Sequence, residues 1–115
     1  MKLSLDFHQM DCNVDFVDIE GRNLLRDCYK EIGCDLVDMV DIDDKFTAII
    51  DDEGLLKSNN PVFEFSNGIN LVGNILIATT TEMNDNFEKE LSHVSIDNAF
   101  EFFMKYKVKP IGMTK

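Results

Sequence analysis

The stretch that decides the fold prediction is LVDMVDIDDKFTAII, residues 36–50. Its two halves, 36–42 and 46–50, are rich in apolar and β-branched residues, which favour strands. Asp43 and Asp44 stand between them. Aspartate favours turns because its carboxylate accepts hydrogen bonds from nearby backbone N–H groups. The stretch therefore predicts a β-hairpin.

One helix is predicted before this hairpin, over residues 20–32. Its apolar residues recur at the spacing of one helix face, and polar residues fill the other face. Gly33 follows the last of them, where the end of a helix often needs a residue with positive φ. A strand over residues 14–17 is predicted to precede the helix.

A second helix is predicted near the end of the chain, over residues 96–106. We expect Ser95 to cap its first turn, where the negative charge of Asp97 suits the positive end of the helix dipole. Phe102 falls off the predicted buried stripe, so we expect it on a contact surface. The stripe itself consists of Ile96, Ala99, Phe100, Phe103 and Met104.

Residues 71–80, LVGNILIATT, are apolar on both faces apart from Asn74. This pattern predicts one strand that is covered on both sides or lies centrally in the sheet, with Gly73 marking a bulge or a close backbone approach. Strands and helices in this order predict an α+β fold, in which a single mostly antiparallel sheet has two main helices packed on it.

The chain has 115 residues, of which 44% are hydrophobic, and this is enough for one domain with its own core. We expect the domain over residues 13–107, preceded by an arm or edge strand over 1–12 and followed by a basic tail over 108–115. The sequence has no apolar leader, and its apolar runs are far shorter than the roughly 20 residues of a membrane span. Its three cysteines form no C-x-x-C pair, which favours a reducing compartment. We therefore expect a cytoplasmic protein with no membrane partner.

Charge is the strongest global feature, because 22 Asp and Glu against 11 Lys and Arg give a net charge of −11. Nucleic acid and anionic lipid would repel such a chain, so direct nucleic-acid binding is disfavoured. The acids concentrate between residues 35 and 53. They have two interpretations: a surface that only gives solubility, or a face that binds a basic protein. The residues of this predicted acidic face are Asp35, Asp38, Asp41, Asp43, Asp44, Asp51, Asp52 and Glu53.

No motif in the sequence predicts catalysis, a metal site or a cofactor. An EF-hand loop starting at Asp41 would place Phe46 where the turn needs glycine. The neighbouring acids 51–53 point in different directions and are explained by a solvated turn. The sequence lacks the nucleophile-elbow and phosphate-loop motifs, and His8 and His93 have no predictable partners. We therefore predict a protein that is not an enzyme and that holds no metal ion or cofactor.

A series of turn and strand motifs resembles an uncharacterised domain family of small bacterial, phage and plasmid proteins. Members of that family carry a helix that ends at a glycine, a strand, an acidic DEG-L turn, an asparagine and a hydrophobic strand containing Gly-Asn. The likeness covers about residues 14–106, and both the N-terminal arm and residues 61–70 depart from the family pattern. It implies a mobile-element setting, a cytoplasmic location and no particular reaction. The residues that carry it are Gly33, Asp52, Glu53, Gly54, Leu55, Asn60, Gly73 and Asn74.

The leading hypothesis for function is a non-enzymatic acidic interaction protein of phage or plasmid origin. It would occupy a basic nucleic-acid-binding surface of a host defence or regulatory protein, with carboxylates in place of phosphates. The alternative is a small-ligand module that binds or sequesters a nucleotide, with Arg22 and Arg26 as candidate phosphate ligands. An enzyme ranks last. A homodimer formed through an exposed edge strand is compatible with all three.

Overall fold

The computed structural model describes residues 1–6, 8–16, 30–33, 36–57, 59–83, 89–92 and 94–114. These residues form nine strands in two antiparallel sheets, together with one helix of seven or more residues. The fold is therefore mostly β, and the predicted α+β fold with two main helices on one sheet is wrong. The difference arises because segments at both ends of the chain form strands by pairing with distant segments.

β7 (Ile75–Met83) is the longest strand and lies in the interior of the six-stranded sheet, which we call sheet A. One edge of β7 pairs with β4 (Phe46–Asp51), and β4 pairs in turn with β3 (Val37–Asp41). β3 and β4 form the hairpin that the sequence predicts, so the turn at residues 42–45 is confirmed. β3 has no neighbour on its outer side among the described strands and forms one edge of the sheet.

The other edge of β7 pairs with β1 (Lys2–Asp6) and, further along, with β8 (Lys89–Ser92). β2 (Asp11–Asp15) pairs with β1 and lies at the far edge of sheet A. Residues 1–12, which the sequence predicts as an arm or edge strand, thus supply the interior strand β1 and the start of β2. Leu3 is fully buried, so this segment is part of the core.

The second sheet, sheet B, has three strands. β5 (Pro61–Phe65) lies between β6 (Asn70–Val72) and β9 (Val108–Met113). Phe63 and Phe65 of β5 are buried in the main hydrophobic cluster. The residues 108–113, which the sequence predicts as part of a tail, form β9 instead.

Only Gly73 and Asn74 separate β6 from β7, although the two strands belong to different sheets. Gly73 has a φ of +85°, which lies in the left-handed region that favours glycine. Its N–H donates to the carbonyl oxygen of Pro61 at 2.8 Å, which fixes the position of the turn. The single strand predicted over residues 71–80 is therefore wrong, because Gly73 ends one strand and redirects the chain into the other sheet.

The long helix of the described residues, α1 (Ile96–Lys105), begins where the sequence predicts. The side chain of Ser95 accepts a hydrogen bond from the backbone N–H of Asn98 at 3.2 Å, so the predicted cap is confirmed. The buried face is not the predicted one, since Phe102 is fully buried. Three residues of the predicted buried stripe are exposed instead: Ile96 by 66%, Phe100 by 69% and Met104 by 87%.

Phe102 packs at the centre of an aromatic cluster that joins α1 to both sheets. Its ring centroid lies 5.1 Å from that of Phe46 in sheet A and 6.1 Å from that of Phe65 in sheet B, with edge-to-face geometry in both cases. Tyr106, which follows the helix, lies 5.3 Å away. The prediction that Phe102 marks a contact surface is wrong, because the two sheets leave room for this side chain between them.

Residues 30–32 are helical and Gly33 has a φ of +79°, which confirms the predicted end of the first helix. Residues 20–29 lie outside the described residues. Lys2 of β1 pairs with Leu76 of β7, so these two side chains point to the same face of sheet A. Lys2 Nζ is 3.9 Å from the carboxylate of Glu31, so Glu31 lies on that face too. Residues 30–33 therefore lie on the face of sheet A opposite α1.

We predict that Phe102→Ala destabilises the domain by about 3–5 kcal/mol, because it leaves a cavity where α1 meets both sheets. Phe100→Ala is the matched control on the same helix, and its free energy of unfolding should change by less than about 1 kcal/mol since the side chain is exposed. Urea denaturation followed by circular dichroism measures both values. Equal losses in the two variants would contradict the packing described above.

Candidate functional site

The predicted acidic face lies along the β3–β4 hairpin. Val37 pairs with Asp51 at one end and Asp41 with Thr47 at the other, so the paired length is about 14 Å at ~3.4 Å per residue. The acids separate into two groups at opposite ends of this length. The turn group is Asp41, Asp43 and Asp44; the cleft group is Asp38, Asp51, Asp52 and Glu53. Asp35 lies outside the described residues.

In the turn group, Asp43 holds the hairpin turn to the end of α1. Its Oδ1 accepts hydrogen bonds from the backbone N–H groups of Lys45 and Phe46, both at 2.8 Å. Its Oδ2 accepts from the hydroxyl of Tyr106 at 2.5 Å and from Lys105 Nζ at 3.0 Å. All four donors come from two elements that are distant in sequence, so Asp43 acts as a structural link.

These contacts determine the charge of Asp43. Partial burial alone would raise the pKa of its carboxyl, but hydrogen bonds from Tyr106, Phe46, Lys105 and Lys45 outweigh this effect and lower the pKa to about 2. Burial and the bond to Asp43 raise the pKa of Tyr106, and the same carboxylate raises the pKa of Lys105. Each group is thus held in its ordinary charge state at neutral pH, which suits a fixed anchor and not a proton-transfer site.

The cleft group lies beside a cavity of about 220 Å³ where the end of β4 meets β6 of sheet B. The cavity combines carboxylates with an apolar floor. Its lining residues are Asp38, Ile50, Asp51, Asp52, Asn70, Leu71 and Val72. Sequence reasoning found the three acids and missed the four other residues, because nothing in the sequence brings residues 70–72 next to the hairpin.

The acids of the cleft group differ in their burial and in their hydrogen-bond and ion-pair partners. Asp51 is buried, lies 2.6 Å from Lys57 Nζ and accepts a bond from the N–H of Glu53. Asp38 is exposed and accepts a hydrogen bond from the backbone N–H of Met39. Among the described residues, neither Asp52 nor Glu53 has an ion-pair partner. Exposed carboxylates above apolar side chains suit a cationic group on an aliphatic stem, such as a lysine or arginine side chain, and they repel a phosphate.

Other chemistry has little support in the described part of the chain. No three His, Cys, Asp or Glu side chains there converge to hold a metal ion. Burial, reinforced by Asp11, raises the pKa of the Cys12 thiol to about 11, so little of the reactive thiolate is present at neutral pH. His8 lies exposed in the β1–β2 turn. His93, Arg22 and Arg26, the last two being the candidate phosphate ligands, lie outside the described residues. No helix in the described ranges is long and apolar enough to cross a membrane.

A family model of known protein domains matches this chain. The family described as "Domain of unknown function (DUF3846)" matches residues 7–103, which is most of the chain. The chain belongs to this family. No curated protein and no solved structure matches the chain. The resemblance to an uncharacterised family of small domains is therefore confirmed, while the DUF3846 family has no established activity to transfer to any residue.

Three of the residues that carry the resemblance, Gly54, Asn60 and Gly73, lie next to one another in this DUF3846 domain. The Asn60 side-chain amide donates to the carbonyl oxygen of Gly54 at 3.0 Å, and Asn60 also lies beside Gly73. A Cβ on Gly54 would come within 3.3 Å of the backbone oxygen of Val72, so a larger residue would push β6 away. Val72 lines the cleft, so these residues fix one wall of it.

We predict that Asp43→Asn destabilises the domain at neutral pH by on the order of 1 kcal/mol, because its bonds from Tyr106 and Lys105 lose charge assistance. The pKa of Asp43 is lowered from 3.8 to about 2 in the folded state, so its stabilising effect is complete above its unfolded pKa. That effect is lost as the pH falls through the folded pKa. The difference between wild type and variant should therefore shrink below about pH 4.

Urea denaturation at neutral pH and in the acid range measures this difference. Asp44→Asn is the matched control: Asp44 is an exposed neighbour without an ion pair among the described residues, and its substitution should change stability by less than about 0.5 kcal/mol at any pH. A constant gap between wild type and Asp43→Asn down to the lowest pH would refute the pKa assignment.

Proposed function

We propose that this domain is a non-enzymatic acidic interaction protein that occupies a basic, nucleic-acid-binding surface of another protein. The observation that carries the proposal is the set of carboxylates at both ends of one hairpin at the edge of sheet A. No described strand pairs with the outer side of β3, so among the described residues this long side of the hairpin offers a partner an unpaired edge.

Charge density supports a basic partner. Over a length of about 14 Å, duplex DNA carries roughly eight phosphates, since one charge occurs per ~1.7 Å. The hairpin and its two flanking turns carry seven described acids, of which Asp43 and Asp51 pair with lysines of this chain, so the charge density is below that of DNA but of the same order. A groove that attracts DNA would attract this edge too, because long-range electrostatic attraction speeds encounter irrespective of the chemical nature of the anion.

The cleft supports a specific mode of contact. A lysine or arginine that normally binds a phosphate could place its aliphatic stem on Ile50, Leu71 and Val72 and its charge near Asp38 and Asp52. The same carboxylates disfavour the alternative function, nucleotide binding, because a phosphate in this cleft would face two or three like charges.

The setting proposed for this activity is a phage or plasmid. A mobile element gains when its protein blocks a host nuclease or regulator, and such a target is held to DNA by a basic surface. We place the protein in the cytoplasm, where these targets act.

A test uses the tagged full chain as bait in host lysate at low and high salt. We expect the retained proteins to be basic DNA-binding proteins that leave the bait at high salt or on addition of duplex DNA. The variant Asp38→Asn/Asp52→Asn/Glu53→Gln should lose them, because it removes three charges from the cleft group.

The matched control is Asp6→Asn/Asp11→Asn/Asp15→Asn, which removes an equal number of charges from the β1–β2 hairpin on the opposite side of sheet A. It should retain the partners if the position of the charge matters. Equal loss in both triple variants would show that only net charge counts. Partners that DNA does not displace would exclude competition with nucleic acid.

A further inference from the structure

The surface of α1 carries an apolar stripe that no described residue covers. Ile96, Phe100 and Met104 are spaced four residues apart, so they form one row along the helix, and each is more than half exposed. Phe103 beside them is partly buried against the core. Large apolar side chains that lie exposed in a row are typical of an interaction surface.

Acids border this stripe on one side. Asp97 and Glu101 lie one position after Ile96 and Phe100 and form a parallel row along the helix, which ends at Lys105. Lys45 from the hairpin turn pairs with Glu101, which places the turn group of acids next to the same side of α1. The apolar stripe is thus the first part of a surface that continues into the acidic turn.

We infer that this surface, which we call the stripe surface, binds a basic amphipathic helix of a partner protein. An apolar row on the partner would cover Ile96, Phe100 and Met104, and lysines or arginines beside it would meet Asp97 and the acids of the turn group. This inference rests on the proposed function, because it takes a basic partner as given. The inference adds the surface of this domain that the partner covers and the kind of secondary structure with which the partner covers it.

Charge complementarity selects this occupant over a second copy of the chain. Two copies would bring together two molecules with a net charge of −11 each. A basic helix meets the same apolar row and turns this repulsion into attraction.

The test uses two synthetic peptides of about four helical turns, made of the same numbers of leucine and lysine. In the stripe peptide the leucines lie on one helix face; in the isomer they are spread around the helix. Fluorescence anisotropy of labelled peptide, titrated with the full chain at low and moderate salt, gives both dissociation constants. We expect the stripe peptide to bind at least about tenfold more tightly than the isomer.

Two variants locate the binding. Phe100→Ser/Met104→Ser should remove the preference for the stripe peptide while leaving the melting temperature close to that of wild type, because both side chains are exposed. Asp38→Asn/Asp52→Asn/Glu53→Gln should keep the preference, because it leaves α1 unchanged. Loss of the preference in the cleft variant and not in the helix variant would overturn the inference.

Other outcomes are equally decisive. Equal binding of both peptides to wild type would overturn the inference and leave the proposed function intact, since charge alone would then account for binding. Binding of neither peptide would overturn the inference as well, while the DNA-displaced partners would still decide the proposed function. A dimer in light scattering that becomes a monomer in Phe100→Ser/Met104→Ser would assign the stripe surface to a second copy.

Discussion

The burial of one aromatic ring, that of Phe102, is the interaction on which the rest of the structure depends. Both sheets bury apolar side chains where they face α1, and among the described strands neither sheet pairs with the other. Phe102 touches Phe46 of one sheet and Phe65 of the other, so α1 fixes their separation. The position of the helix then brings Tyr106 to Asp43, which locks the hairpin turn. The acidic hairpin therefore has a defined place relative to sheet B, and the cleft between them has a defined shape.

Local features of the fold could be predicted from the sequence, and features that depend on distant contacts could not. The β3–β4 hairpin, the Ser95 cap and the helix end at Gly33 each depend on neighbouring residues. The buried face of α1 does not, because Phe100 and Phe102 are equally hydrophobic and only the packing of the two sheets selects between them. The strand over residues 71–80 had the right residues for β structure, but the positive φ at Gly73 divides it between two sheets.

The candidate site shows the same division. Composition and order along the chain were enough to identify the acids, because charge is a property of the residue. Their roles differ for reasons that only packing reveals: Asp43 is an internal anchor, Asp51 is buried against Lys57, and Asp38 and Asp52 face a cleft. The apolar floor of that cleft comes from β6, a strand that the sequence pattern merged with β7.

The place of β9 in sheet B has a consequence for how the chain reaches this structure. β5 and β6 form only a two-stranded ribbon until β9 joins, and such a ribbon is marginally stable in water. The strand that completes the sheet pairs Phe65 with Val108, across more than forty intervening residues. Sheet B therefore cannot close on a nascent chain until the segment beyond α1 has left the ribosome. Such long-range pairing makes for slow folding, and β5 has an unpaired edge during that interval.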